Sequence, residues 1–495
     1  MLQHIIDSAQ LFRPETALIV SFCVVLLVDL VLRRKSQAGA YAALLGLGVT
    51  GYFVLDQSGV APATLFSNMV AVDPFAVFFK ALTLVTTALI VVFSLHSHEL
   101  RDAKRYMGEY YALLLSLTLG MFLMSSATNL IMMYLAVELT SLSSYLLSSF
   151  TKEARDSSEA SLKYVIFGAV ASGMMLYGMS LLYGLTGSLD LYGINRVLAS
   201  GTANGPMLAI AGVLMVVGFG YKISAVPFHF WTPDVYEGAP LPVTAILSVA
   251  SKAAGFALMM RFFKVAFVDG TAAAGWATVH GFEWNHVLAI LSVLSMTIGN
   301  LIALWQTNLK RLLAYSSIAH AGYMLLGVVV LSNEGFAAVL LYLVIYLFMN
   351  LGAFYAVMLV ANATGSEHID DYRGLGSRAP LIGVAMTILL LSLTGIPPTA
   401  GFVGKLYLFS ALMNAKWFWL AIVAAINSVI SLYYYVNVLR SMFLQEPLGD
   451  ATPISFSPAQ IVILLLFVVP TLLFGVYFGP LVQAAQSSIT MFLNP

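Results

Sequence analysis

The chain has 495 residues, of which 60% are hydrophobic and 9% charged, and its 23 basic side chains are balanced by 23 acidic ones. Soluble domains carry about 25% charged residues, so this composition specifies an integral membrane protein, and zero net charge excludes a basic nucleic-acid binder. The single cysteine, Cys23, excludes a disulfide framework and a cysteine-ligated iron–sulfur cluster within the chain.

The first fifteen residues lack the basic segment and small-residue site of a signal peptide, and the Arg/Ser-rich character of a transit peptide. Spans of about 20 apolar residues are expected at 16–32, 40–56, 74–95, 109–126, 129–150, 161–184, 207–228, 240–262, 285–305, 311–331, 336–361, 380–412, 417–443 and 459–485. No polar segment is long enough for a soluble module, so the expected fold class is an all-α integral membrane protein of about fourteen helices. No dinucleotide-binding GxGxxG or Walker A loop is present, so NADH, flavin and ATP sites are not expected in this chain. The eight histidines form no metal-binding spacing, and His96 and His98 sit at a polar loop edge, so no metal is expected.

Loop charges set an expected orientation. If Arg33, Arg34 and Lys35 are cytoplasmic, the same side holds Arg101, Lys104, Arg105, Lys152, Arg155, Lys310, Arg311, Arg373, Arg378 and Arg440, thirteen in all. The other side holds five, Arg13, Arg196, Arg261, Lys264 and Lys416. The positive-inside rule then places both termini on the periplasmic face of a bacterial inner membrane.

Five lysines and one acid fall within spans: Lys80, Lys163, Lys222, Lys252, Lys405 and Glu138. A charge at membrane depth costs about 2.5–3.5 kcal/mol on insertion scales and marks function by default. Lys80, seven residues past Asp73, is expected to snorkel to the outer interface, and Lys163 lies close enough to the loop at 151–160 to snorkel inward. Glu138 is followed by Thr140, Ser141, Ser143 and Ser144, hydroxyls able to hold water beside a carboxylate. Lys222 is followed by Pro227, which removes a helix bond to Ile223, and Lys405 follows Pro397 and Pro398, which remove bonds to Leu393 and Thr394.

Two interrupted spans with one lysine each point to inverted repeats, expected as five helices at 109–262 and five at 285–443. They are preceded by a three-helix segment at 1–108 and followed by a C-terminal helix at 459–495. The spacings agree, with 222 − 138 = 84 for Glu138 to Lys222 and 405 − 320 = 85 for His320 to Lys405. Glu138, Lys222, Lys252 and Lys405, bridged by water, serines and His320, would form a horizontal proton wire. His229 either switches protonation or bonds a carbonyl freed by Pro227. Asp234 and Glu237 are expected to hold their cytoplasmic loop together, and Tyr433, Tyr434 and Tyr435 to pack and form an interfacial belt.

The stretches GYKISAVPFHFWTPDVYEGAPLPVTAILSVASKAAGF, NLKRLLAYSSIAHAGYMLLG, LSLTGIPPTAGFVGKLYLF and LAVELTSLSSYLL resemble the antiporter-like membrane subunits of respiratory complex I. The resemblance covers nearly all of 70–445. WTPDVYEGAP, the lysine rather than glutamate after GIPPTAGFVG, and the absence of a long lateral helix after the last span fit one of the shorter subunit types. It implies fourteen spans with two inverted five-helix repeats and a proton channel driven by quinone reduction elsewhere in the complex. Glu138, Lys222, Lys252 and Lys405 would be the proton-translocating residues, with Lys163 and His320 accessory and Lys80 without a role. NADH, flavin, iron–sulfur clusters and quinone would be bound by partner subunits. Those partners would include another antiporter-like subunit and the small membrane subunits.

A subunit of a multi-subunit cation/proton antiporter shares the lysines and broken helices and stands as the alternative. A scaffold that moves no ions predicts dispensable lysines, which their number opposes. A complex fed by ferredoxin is a variant of the first reading.

Overall fold

A computed structural model describes residues 2–32, 37–103, 107–151, 155–201, 203–269, 276–279, 281–447 and 452–491. Arg33, Arg34, Lys35, Lys104, Arg105 and Lys152 of the loop-charge tally lie outside the described residues.

Among the described residues, thirteen helices are long and apolar enough to cross a membrane. They begin with α1 Arg13–Leu32, α2 Ala38–Gln57 and α3 Pro74–Ser94. Next come α4 Met107–Ser126, α5 Leu130–Ser148, α6 Arg155–Thr186 and α7 Gly205–Ile223, which stops short and is followed by the brief α8, Trp231–Gly238. Then follow α9 Leu241–Ala266, α10 Trp284–Ala303, α11 Leu309–Val329 and α12 Asn333–Thr364. The expected span 380–412 divides into α13 Pro380–Thr394 and α14 Ala400–Asn414, before α15 Phe418–Leu444 and α16 Pro458–Val476. The last span ends at Val476 rather than 485, and Gly479–Ser487 is a separate short helix. Two small antiparallel ladders, one pairing Ala63–Leu65 with Val70–Val72, are the strand content of the described residues.

Helix starts follow local chemistry. Asp73 accepts the amide of Ala76 ahead of Pro74 at the first position of α3, and Asn129, Asn308 and Ser332 cap α5, α11 and α12. Ser457 and Gln460 close a reciprocal capping box on α16.

Element order repeats. In α4–α9, three continuous spans are followed by a broken one and a fifth, and the same order recurs in α10–α15. Five crossings is an odd number, so the second set starts from the opposite face. Helices α9 and α11 are buried along their whole apolar windows, which puts their polar side chains out of reach of lipid.

Two expectations about basic residues are corrected here. Lys80 does not snorkel: it is fully buried, 2.6 Å from Glu15 of α1 and 3.1 Å from Gln57 of α2. Three helices converge on it, and a fixed carboxylate stabilises the ammonium better than a stretched side chain at an interface. Arg261 is not a loop residue but a buried part of α9, where it forks onto both oxygens of Asp73 at 2.7 and 2.8 Å and donates to the Ser125 carbonyl.

Candidate functional site

The two interruptions are built alike. Helix α7 ends with Ser224 in the left-handed region (φ 62°), and the Ala225 amide reaches back to the Gly220 carbonyl at 2.8 Å. Helix α13 ends with Gly395 in the same region (φ 91°), and the Ile396 amide reaches the Leu391 carbonyl at 3.1 Å. Each is a backbone hook that uses up carbonyls a straight helix would bond. The hooks are offset by 395 − 224 = 171 residues, whereas the lysines are offset by 405 − 222 = 183. Lys222 therefore sits in the last turn before its break and Lys405 within the helix after its own. The two are not at equivalent points, contrary to the pairing read from their spacing.

Close backbone contacts surround both lysines. A Cβ on Gly395 would lie 2.8 Å from Lys405 Cδ, and one on Gly255 of α9 would lie 3.2 Å from Lys222 Cγ. A Cβ on Gly475 of α16 would lie 1.8 Å from the Pro398 carbonyl oxygen, so α16 covers the second break directly.

On the first side, Lys222 Nζ donates to Ser141 Oγ of α5 at 3.4 Å. Glu138 lies one turn away on the same helix, half-buried, with Oε1 shielded from solvent and without a hydrogen-bond partner. Among the described residues it forms no direct ion pair with a lysine. The Val226 amide, inside the break, donates to Ser295 of α10 at 2.9 Å.

The second side is organised by α11. Lys252, which directly follows a π-helical turn at Leu247–Ser251, donates to Ser317 Oγ at 2.8 Å. One turn on, His320 Nδ1 is 2.7 Å from the Tyr342 hydroxyl, and its Nε2 is 3.5 Å from that of Tyr435. A further turn on, Tyr323 accepts from Ser428 at 3.1 Å. Ser428 accepts from Lys405 Nζ at 3.2 Å, and the same ammonium donates to the Thr394 carbonyl at 2.8 Å, one of the two carbonyls expected to be freed. Ser317, His320 and Tyr323 thus lead from Lys252 to Lys405 along one face of α11. That link climbs about 9 Å along the axis of α11.

The accessory residues divide. Lys163 bonds Asp234 at 2.6 Å and Glu159 at 2.9 Å, and Arg311 bonds Asp234 at 2.8 Å and Glu237 at 2.7 Å. These pairs clasp α8 to α6 and α11. Burial alone pushes the Asp234 carboxyl up, but the hydrogen bonds from Lys163 and Arg311 outweigh it and hold it below the usual carboxylate range. His229 is buried and stacked on Phe230, with Nδ1 lacking a hydrogen-bond partner. Of the three consecutive tyrosines, Tyr433 faces outward as a belt residue would. Tyr434 instead bonds Asn300 at 3.0 Å and Tyr435 bonds Ser316 beside His320. Ser317, Tyr323, Tyr342 and Ser428 were not singled out by sequence, because hydroxyls are common in membrane helices and carry no charge signal, whereas Ser141 stood out only as a neighbour of Glu138.

Residues 127–431 match the family described as NADH:quinone oxidoreductase/Mrp antiporter, TM. The chain is 46% identical over 487 residues to NADH-quinone oxidoreductase subunit N 2 of Chloroherpeton thalassium, covering 97% of this chain and 94% of that one. It is likewise 46% identical over 506 residues to NADH-quinone oxidoreductase subunit N of Anaeromyxobacter sp., covering 98% and 97%. Among solved structures it is similar to a chain of respiratory complex I from Thermus thermophilus with bound aureothin. The TM-score is 0.79 at 32% identity, covering 96% of this chain and 99% of that one. A chain of the Mrp complex from Dietzia sp. shares the fold, with TM-score 0.79 at 23% identity over 99% and 97%. The expected fold class is thus met, and the full-length relatives favour the oxidoreductase over the stand-alone antiporter. The chain belongs to the antiporter-like membrane subunits of NADH-quinone oxidoreductase, in the subunit N branch of that family.

Proposed function

We propose that this proton-translocating subunit carries protons along a buried file from Glu138 and Lys222, through Lys252 and His320, to Lys405. The observation that carries the reading is the α11 bridge, in which Ser317, His320 and Tyr323 span the interval between two buried lysines. Intramembrane lysines with hydroxyl and imidazole partners are the chemistry of a proton relay. Pro227, Pro397 and Pro398 mark the interruptions that bring lysines to non-helical backbone, tolerated at this depth because it is buried in protein. His229, two residues past Pro227 in the first interruption, is assigned to the first half of the path. Lys163 is assigned to the clasp that positions α8 rather than to the file itself.

The repeats at 109–262 and 285–443 would act as two halves of one carrier, flanked by the segments 1–108 and 459–495. Redox energy would arrive from partner subunits that hold NADH, flavin, iron–sulfur clusters and quinone, this chain holding none. Its neighbours would be another antiporter-like subunit and the small membrane subunits, in an inner membrane with both termini periplasmic.

The test is Lys222→Ala in the assembled complex, with NADH-quinone electron transfer and proton pumping measured together in membrane vesicles. Both rates should fall together while assembly persists. Wild-type rates for both would remove Lys222 from the path and bring a scaffold role forward.

A further inference from the structure

Helices α13 and α15 meet on the outer surface of the protein, and between them lies an open groove of about 430 Å³. Its walls are Val384, Ile388, Val436 and Phe443, with Thr387 and Arg440 as polar members and no acidic residue. The Thr387 hydroxyl is already bonded to the Gly383 carbonyl, so the groove interior offers alkyl surface only. Along α15 the lining runs from Val436 to Leu444, about 12 Å of helix rise. Val384, Val436 and Phe443 are well exposed, and Phe443 is seated against Gly376, where a Cβ would lie 2.3 Å from its ring.

The groove lining carries one cation, Arg440, midway along its α15 wall, four residues from both Val436 and Leu444. Arg440 is exposed and stands within the lining. Arg378, two residues before the start of α13 and outside the lining, donates its Nε to the Thr452 carbonyl at 3.3 Å. An alkyl slot with a guanidinium in its lining, four residues from the end of α15, has the charge complementarity of an anionic lipid, and basic recesses between spanning helices bind such headgroups. A partner helix, about 10 Å across, does not enter a recess of that volume between two helices already in contact.

We propose that this groove is a binding site for one anionic glycerophospholipid, its phosphate on Arg440 and one acyl chain laid between α13 and α15. The site would brace α13, the helix whose last carbonyl, that of Thr394, holds Lys405. The inference does not depend on the proton path. It fails or stands on lipid binding alone.

The test uses the assembled complex in vesicles that contain phosphatidylglycerol with a diazirine on its acyl chain, or the phosphatidylcholine counterpart. Photolabel is mapped by peptide mass spectrometry. The phosphatidylglycerol probe should label peptides of 384–388 and 436–444. Labelling should fall about fivefold in Arg440→Gln, the loss expected for one arginine at a membrane surface, and should be retained in Arg440→Lys. Val436→Trp, which fills the slot without touching the charge, should also lose the label. Equal labelling by the two lipids, labelling unchanged in Arg440→Gln, or no label because a neighbouring subunit covers the groove would each overturn the proposal.

Discussion

Gly395→Ala tests the second half of the path through a single methyl group. Gly395 holds φ 91°, where a side chain costs about 1–2 kcal/mol, and its Cβ would sit 2.8 Å from Lys405 Cδ. Relieving that overlap adds about 1–3 kcal/mol, and this steric part, unlike the backbone cost, falls on the contact between Lys405 and the Thr394 carbonyl. If only about 1.4 kcal/mol of this is spent displacing the ammonium, occupancy of that contact shifts about tenfold. Proton pumping by the assembled complex should therefore drop about tenfold, with electron transfer following it. Gly365→Ala is the control, because it carries a comparable φ of 75° with nothing within 4 Å of the new Cβ. It bears the backbone cost alone and should pump normally. Wild-type pumping by Gly395→Ala at normal complex content, or an equal loss in both variants, would refute the reasoning.

Ser317→Ala removes the bonded partner of Lys252 and leaves a buried ammonium short of an acceptor, at about 1–3 kcal/mol; pumping should fall several-fold, and an unchanged rate would exclude Ser317 from the bridge. Lys80→Met strands the buried Glu15 carboxylate and should destabilise the complex by about 3–5 kcal/mol, whereas Lys80→Met with Glu15→Leu should recover most of it. Thermal unfolding of the detergent-solubilised complex separates these, and no recovery in the double variant would mean that the pair is not what the single change disturbs. For Asp234, a carboxyl depressed by folding contributes stability above its unfolded value of about 4 and loses it as pH falls through the lower folded value. The stability difference between wild type and Asp234→Asn should therefore persist from roughly pH 7 to about pH 5 and shrink only below that. A difference that vanished near pH 6 would contradict the assignment.

The spans were legible because each needs its own run of apolar residues, and their ends agree with the helices to within a few residues for most of the chain. Both breaks were legible because proline and glycine are local signals. What sequence could not convey is pairing between helices. Lys80 looked like an interfacial lysine because its partner Glu15 is 65 residues away and carries no mark of being buried. Tyr435 looked like a belt residue because it directly follows Tyr433 and Tyr434. Only the helical phase turns it inward to Ser316 and His320 while Tyr433 faces out. The lysine spacing of 84 and 85 suggested equivalence, yet the backbone hooks show that the repeat runs at 171, and the lysines depart from it by 12 residues. Backbone hydrogen bonding kept the repeat where side chains did not.

The contact between Gly475 and Pro398 bears on the order in which the protein is made. The second break at Pro398 leaves the ribosome 475 − 398 = 77 residues ahead of Gly475, the residue of α16 that covers it. Until Gly475 arrives, the backbone at Pro398 faces whatever surrounds the nascent chain, and open backbone is not tolerated in hydrocarbon. The C-terminal helix, which stands outside both repeats, is thus the last step in making the second half a membrane-compatible fold. A chain halted before Pro458 would hold every lysine of the path and still leave its second interruption unsealed.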